Sequence, residues 1–178
     1  NTAGNYTGYW KFKNSSGVLF GIGYYANNPW WVQITVQGST QNGVAYDFAA
    51  NAEKAAWSSG AGSLSFPGTD GDAKGFAVRV INQKFESGAV ANPAGLLVGP
   101  QQVTNGFIQG SYPAFTVQSG DKFQTTVGCA EGATSCYVSY SLQYISGGIV
   151  RTFWTWRERF EGLTYTANLD LSPLAGQS

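Results

Sequence analysis

The chain has 178 residues, no histidine, no methionine and a formal charge of zero, with Lys+Arg and Asp+Glu balanced at 10 each. So sparse and even a charge leaves no footprint for nucleic acid or an anionic surface, and no stretch reaches the roughly 20 apolar residues of a membrane helix. Without histidine, a serine or cysteine nucleophile relayed through imidazole is excluded, and the reading is of a protein that is not an enzyme.

Period-two alternation recurs along the chain and helical periodicity is almost absent, which predicts an all-β fold. Strands are expected over residues 18–25 and 30–37, and a Gly/Ser/Asn/Gln stretch at 37–43 then separates this aromatic-rich piece from the rest. Residues 1–43 therefore read as an N-terminal strand arm, too small to hold its own core, and residues 44–178 as the body. Residues 51–57 carry the one segment of helical character. Further strands are expected at 76–81, 114–118, 122–129, 136–144, 149–158 and 163–171. Breaks such as Asn14-Ser15-Ser16-Gly17, Ser119-Gly120-Asp121 and Ser146-Gly147-Gly148 supply turns between strands. That many strands predict a two-sheet β-sandwich of jelly-roll type, because a single sheet would leave an apolar face wet.

Cys129 and Cys136 flank the loop-like run Ala-Glu-Gly-Ala-Thr-Ser between two strands, so a hairpin would bring them within disulfide range. An oxidised pair implies an extracellular or cell-surface location. A first residue that is Asn1 rather than methionine fits a secreted chain after leader removal. Asn5-Tyr6-Thr7 and Asn14-Ser15-Ser16 match the glycosylation pattern.

Tryptophan is the main candidate for contact chemistry. Alternation groups Trp31 with Gln33 and Thr35 on a polar strand face, and puts Thr152, Trp154, Trp156 and Glu158 on one side of a strand. An indole beside amides and hydroxyls is what a pyranose needs, since its axial C–H groups pack on the ring while its hydroxyls find polar partners. Asp70 and Asp72, in Pro67-Gly68-Thr69-Asp70-Gly71-Asp72-Ala73, have a spacing that can converge on Ca²⁺. Glu158 and Glu161 lie too close along one strand end to face each other across a cleft, and Arg157 and Arg159 beside them predict salt bridging.

The closing run Leu163-Thr164-Tyr165-Thr166-Ala167-Asn168-Leu169-Asp170-Leu171-Ser172-Pro173-Leu174-Ala175-Gly176-Gln177 resembles the end of secreted bacterial jelly-roll domains of carbohydrate-binding type. In that pattern Asp-Leu-Ser, a short linker and Ala-Gly-Gln lead into another apolar strand, and here the sequence ends at Ser178 where that strand would begin. A sheet so left open is a template for strand addition. The expected function is accordingly that of an extracellular structural subunit of a filament, sheath or coat, assembling with copies of itself. Alternate arm residues Val18, Phe20 and Ile22, or Val32, Ile34 and Val36, would fill a neighbour's groove. The alternative is a carbohydrate-binding module that holds a polysaccharide on Trp31, Trp154 and Trp156.

Overall fold

A computed structural model describes residues 43–91 and 94–176, and before them the backbone of four strands: β1 (Gly4–Trp10), β2 (Phe12–Lys13), β3 (Leu19–Phe20) and β4 (Trp30–Val36). The chain divides into two compact units, Asn1–Ala45 and Tyr46–Ser178. In the first unit β1 pairs antiparallel with β4, from Gly4↔Val36 to Trp10↔Trp30, and β2 pairs with β3. Val32, Ile34 and Val36 fall opposite Gly8, Tyr6 and Gly4, and Trp31 opposite Tyr9. Phe20 lies in β3, whereas Val18, Ile22 and Asn14 lie outside the described residues.

The second unit is also all-β. A three-stranded ladder has β5 (Ala56–Ser59) between β6 (Gly62–Leu64) and β9 (Ile108–Ser111), and β7 (Phe76–Val80) pairs with β8 (Gly95–Gly99). Trp57 and Ser59 face inward from β5 while Ala56 and Ser58 are more exposed, the alternation a half-buried strand demands. The core gathers Ala52, Trp57 and Ala77, with Leu64, Phe66, Leu96, Val98 and Ile108 packed against them. Residues 51–57 do not form the expected helix: a 3-10 turn at Ala52–Lys54 gives way to β5. The Trp57 indole N–H donates to the Ala52 carbonyl at 2.8 Å, so the indole itself fastens the turn to the strand.

Glycine makes room for the large rings of this core. A Cβ added at Gly99, the register partner of Phe76, would come within 2.2 Å of the Phe76 ring, which is 8% exposed. Gly99→Ala should therefore cost about 1–3 kcal/mol through overpacking, measured as a fall in the urea midpoint without a change in slope. Residues 114–118 are irregular rather than a strand. Phe115 instead stacks on Tyr46, with centroids 4.7 Å apart and planes 8° apart.

The last four strands are β10 (Lys122–Val127), β11 (Tyr137–Ser146), β12 (Ile149–Arg159) and β13 (Tyr165–Asp170). β11 and β12 form a hairpin closed by Gly147 and Gly148, whose φ values of 57° and 76° suit the tight turn that favours glycine at both central positions. β10 pairs with β13 across that intervening hairpin. The run around the cysteines is thus not itself a hairpin, as its spacing had implied: the turn of two glycines pairs β11 locally with β12 and leaves β10 to β13. Among the described residues, β10–β13, β11–β12 and β7–β8 are each two-stranded.

The Asp-Leu-Ser motif closes the β10–β13 ladder at one end. Asp170 Oδ1 accepts from the Ser172 amide at 2.9 Å and from its hydroxyl at 2.6 Å, and Ser172 Oγ accepts from the Gly120 amide at 2.9 Å. Leu171 lies buried between them in sequence, and its amide donates to the Asp121 carbonyl.

Candidate functional site

Alternation along β11 turns Val138, Tyr140, Leu142 and Tyr144 inward and leaves Ser139, Ser141 and Gln143 exposed, as the sequence predicts. On β12 the register shifts between Leu142 and Gln143, so that Trp154 stands opposite Leu142, Thr152 opposite Gln143, and Phe153 is the extra residue of a bulge. The bulge corrects the grouping read from simple alternation. Thr152 goes to the outer face, where its hydroxyl accepts from the Gln143 amide at 3.5 Å, while Trp154, Trp156 and Glu158 share the inner face.

Opposite them, β13 turns Tyr165, Ala167 and Leu169 inward, and Thr166 and Asn168 outward to meet Thr126 and Gln124 of β10. The inner faces enclose a groove of ≈ 230 Å³ lined by Trp154 and Trp156 of β12, Val127 of β10, and β13 from Tyr165 to Leu169. Trp154, Trp156 and Tyr165 are each half-buried. Trp156 and Tyr165 meet at 4.7 Å with their planes tilted by 48°. β13 pairs with no strand other than β10 among the described residues, so its second edge carries main-chain donors and acceptors without a ladder partner there.

The polar tips of two groove rings are fixed by carboxylates. The Trp156 indole N–H donates to Glu158 Oε2 at 2.9 Å, and the Tyr165 hydroxyl to Glu161 Oε1 at 2.5 Å. Arg159 Nε also donates to Glu161, at 2.9 Å. Salt bridging thus holds for Glu161 but not for Glu158, which is 1% exposed and takes the Trp156 N–H and the Arg159 amide instead of a guanidinium. Glu86 was not evident from sequence. It reaches in from a loop, accepting from the Cys129 amide at 3.2 Å, the Gly162 amide at 2.7 Å and the Glu161 amide. Nothing local marks it, because its partners lie 43 to 76 residues away.

Glu86, Glu158 and the Cys129 sulfur come within 4.8 Å of one another. That sulfur is committed to the Cys129–Cys136 disulfide, which leaves two carboxylates rather than a three-ligand metal site. Asp70 and Asp72 stay in an exposed turn, where Asp72 Oδ1 caps the Lys74 amide at 2.9 Å, and they join no group of three candidate ligands among the described residues.

The disulfide spans a Cα separation of 6.1 Å and links the end of β10 to the start of β11. Cys129 itself is buried, at 2% exposure. Such a crosslink is compatible with an extracellular setting. No helix among the described residues is long and apolar enough to cross a membrane.

The clasp at Glu161 titrates in a definite sense. The Tyr165 hydroxyl, and after it Arg159, hold the Glu161 carboxyl below the usual carboxylate range, and the same hydrogen bond raises the Tyr165 phenol. A depressed carboxyl contributes stability above its ordinary pKa of about 4.3 and loses it as pH falls through the folded value; a raised phenol contributes below about 10 and loses it as pH rises through its folded value. Tyr165→Phe should therefore lower the urea midpoint at neutral pH, and the difference from the parent should shrink on acidification below about pH 4.

No family model matches the chain, and no curated protein and no solved structure is similar to it.

Proposed function

We propose that the body of this protein is a carbohydrate-binding module of secreted type, on a jelly-roll-like β framework, whose glycan lies in the groove between β12 and β13. The observation that carries this reading is the convergence of Trp154, Trp156 and Tyr165 in one groove. Because Trp156 and Tyr165 already spend their N–H and O–H on carboxylates, what they offer a ligand is ring face. Ring faces take the axial C–H groups of a pyranose, and the polar residues Thr166 and Asn168, which line the same groove, are there to meet its hydroxyls. Affinity electrophoresis through a panel of polysaccharides tests it. The parent should be retarded by at least one polymer, and Trp154→Ala or Trp156→Ala should weaken that retardation by about tenfold or more, equivalent to about 1.4 kcal/mol. A parent retarded by none, or variants retarded as strongly as the parent, would end the reading.

A second reading, self-assembly into a filament, sheath or coat, is favoured by the two-stranded ladders and by Ile145, Ile149 and Val150 at 56–65% exposure around the β11–β12 turn. The arm would complete a neighbour's sheet with Val32, Ile34 and Val36, worth roughly 5–9 kcal/mol before entropy costs. It ranks second because β1 and β4 already satisfy one another within the arm. Light scattering decides it: assembly predicts polymers of the full chain and monomers on deletion of residues 1–45, and a full chain monomeric at high concentration rules it out.

A further inference from the structure

The groove has a definite electrostatic character. No basic side chain lines it, and the two rings in contact there are each hydrogen-bonded at the tip to a carboxylate, Glu158 behind Trp156 and Glu161 behind Tyr165. Glu86 adds a third carboxylate, within 4.8 Å of Glu158. Among the described residues the nearby cations are spoken for or turned away: the Arg159 guanidinium is engaged by Glu161 at 2.9 Å, Lys84 in the Glu86 loop pairs with Glu131 at 3.8 Å, Arg157 is exposed on the outer face of β12, and Lys122 is at the far end of β10 opposite Asp170. An N–H or O–H donated to a carboxylate pushes electron density into the ring, which deepens the negative potential over its face, the feature that attracts cations. Carboxylates close behind the rings add to it through space.

We infer that the groove selects glycans carrying a protonated amino sugar over neutral and acidic ones, the ammonium seating against the faces of Trp156 and Tyr165 with Glu158 and Glu161 behind them. This rests on the carbohydrate-binding reading and sharpens it to a substrate class. A uronic acid would bring a carboxylate toward three others. An N-acetylated sugar keeps the C–H stacking but brings no charge. The free amine alone gains from both rings and field.

Titration calorimetry of the full chain at about pH 5.5, where a free amino sugar is protonated, compares glucosamine oligomers with N-acetylglucosamine and galacturonate oligomers of equal length. The glucosamine oligomer should bind about fivefold tighter than its acetylated counterpart or better, the galacturonate oligomer weakest of the three. The preference should shrink in high salt and in Glu161→Gln, which keeps an acceptor for Tyr165 but removes the charge, whereas Trp154→Ala should weaken binding of all the oligomers. Equal or tighter binding of the acetylated oligomer, with Trp154→Ala still weakening it, overturns the ammonium preference and leaves the glycan site standing. A preference undiminished in Glu161→Gln and in high salt likewise overturns it. Binding of none of the three overturns the amino-sugar preference, and retardation by none of the polysaccharide panel overturns the glycan site with it.

Discussion

Replacing Trp57 by alanine should lower the unfolding free energy by about 3–5 kcal/mol, the largest single-residue effect expected in this chain. Trp57 is 7% exposed at the centre of the main core and stacks on Phe66 with ring centroids 5.8 Å apart and planes 17° apart. Its register partner Gly110 approaches so closely that an added Cβ would lie 2.9 Å from the indole, so the strand opposite is shaped to the ring and cannot easily collapse into the space it leaves. Trp57→Phe separates two contributions. It keeps most of the apolar surface but removes the indole N–H from the buried Ala52 carbonyl, which still accepts from the Ala55 amide at 3.3 Å, so the lost hydrogen bond should cost about 0.5–1.5 kcal/mol. Urea denaturation followed by far-ultraviolet circular dichroism measures both, and an alanine variant within 1 kcal/mol of the parent would show that this cluster is not the core on which the body depends.

Removing the disulfide should be the next largest effect. With a sequence separation of 7, the Cys129–Cys136 loop is short, and chain-entropy reasoning gives about 2.5 kcal/mol for closing it. The structure adds a cost beyond loop closure. The Cys129 amide and carbonyl hold Glu86 through its carboxylate and its own amide, and the Cys136 carbonyl accepts from the Phe160 amide at the end of β12. The crosslink thus braces the loop that carries Glu86 against the groove. A Cys129→Ala/Cys136→Ala double variant should lose stability, whereas reduction of a well-folded parent that left the urea midpoint unchanged would contradict this role.

The strands that were legible in sequence are those long enough to alternate. β11 and β12 offer ten and eleven residues of period-two pattern, and a turn of two glycines fixes their pairing. β6 has three residues and β9 four, and β5 opens inside a stretch whose Ala, Glu and Lys favour helix, so local pattern could not find them. Their existence depends on Trp57 finding a core made of residues far away. The groove was half legible: Trp154 and Trp156 stood out, and Glu158 was grouped with them. Tyr165 appeared only as a strand residue, and neither its meeting with Trp156 nor the approach of Glu86 has a local signature. Such long-range partners come from ladder topology, which alternation does not specify.

The order of the last four strands also sets a sequence of events in folding. The β11–β12 hairpin joins neighbours through a two-residue loop and belongs to the class of structures that form in about microseconds, whereas β10 and β13 must close a far longer span from Lys122 to Asp170. Both cysteines precede β12 and β13 in the chain, so the crosslink needs neither of those strands in order to form. Once made, it holds the start of β11 beside the end of β10 and shortens the effective loop that β13 closes when it docks. The slow, non-local step of this fold is thereby made more local before it begins, and oxidation ahead of docking should accelerate refolding of the ladder that bears the groove.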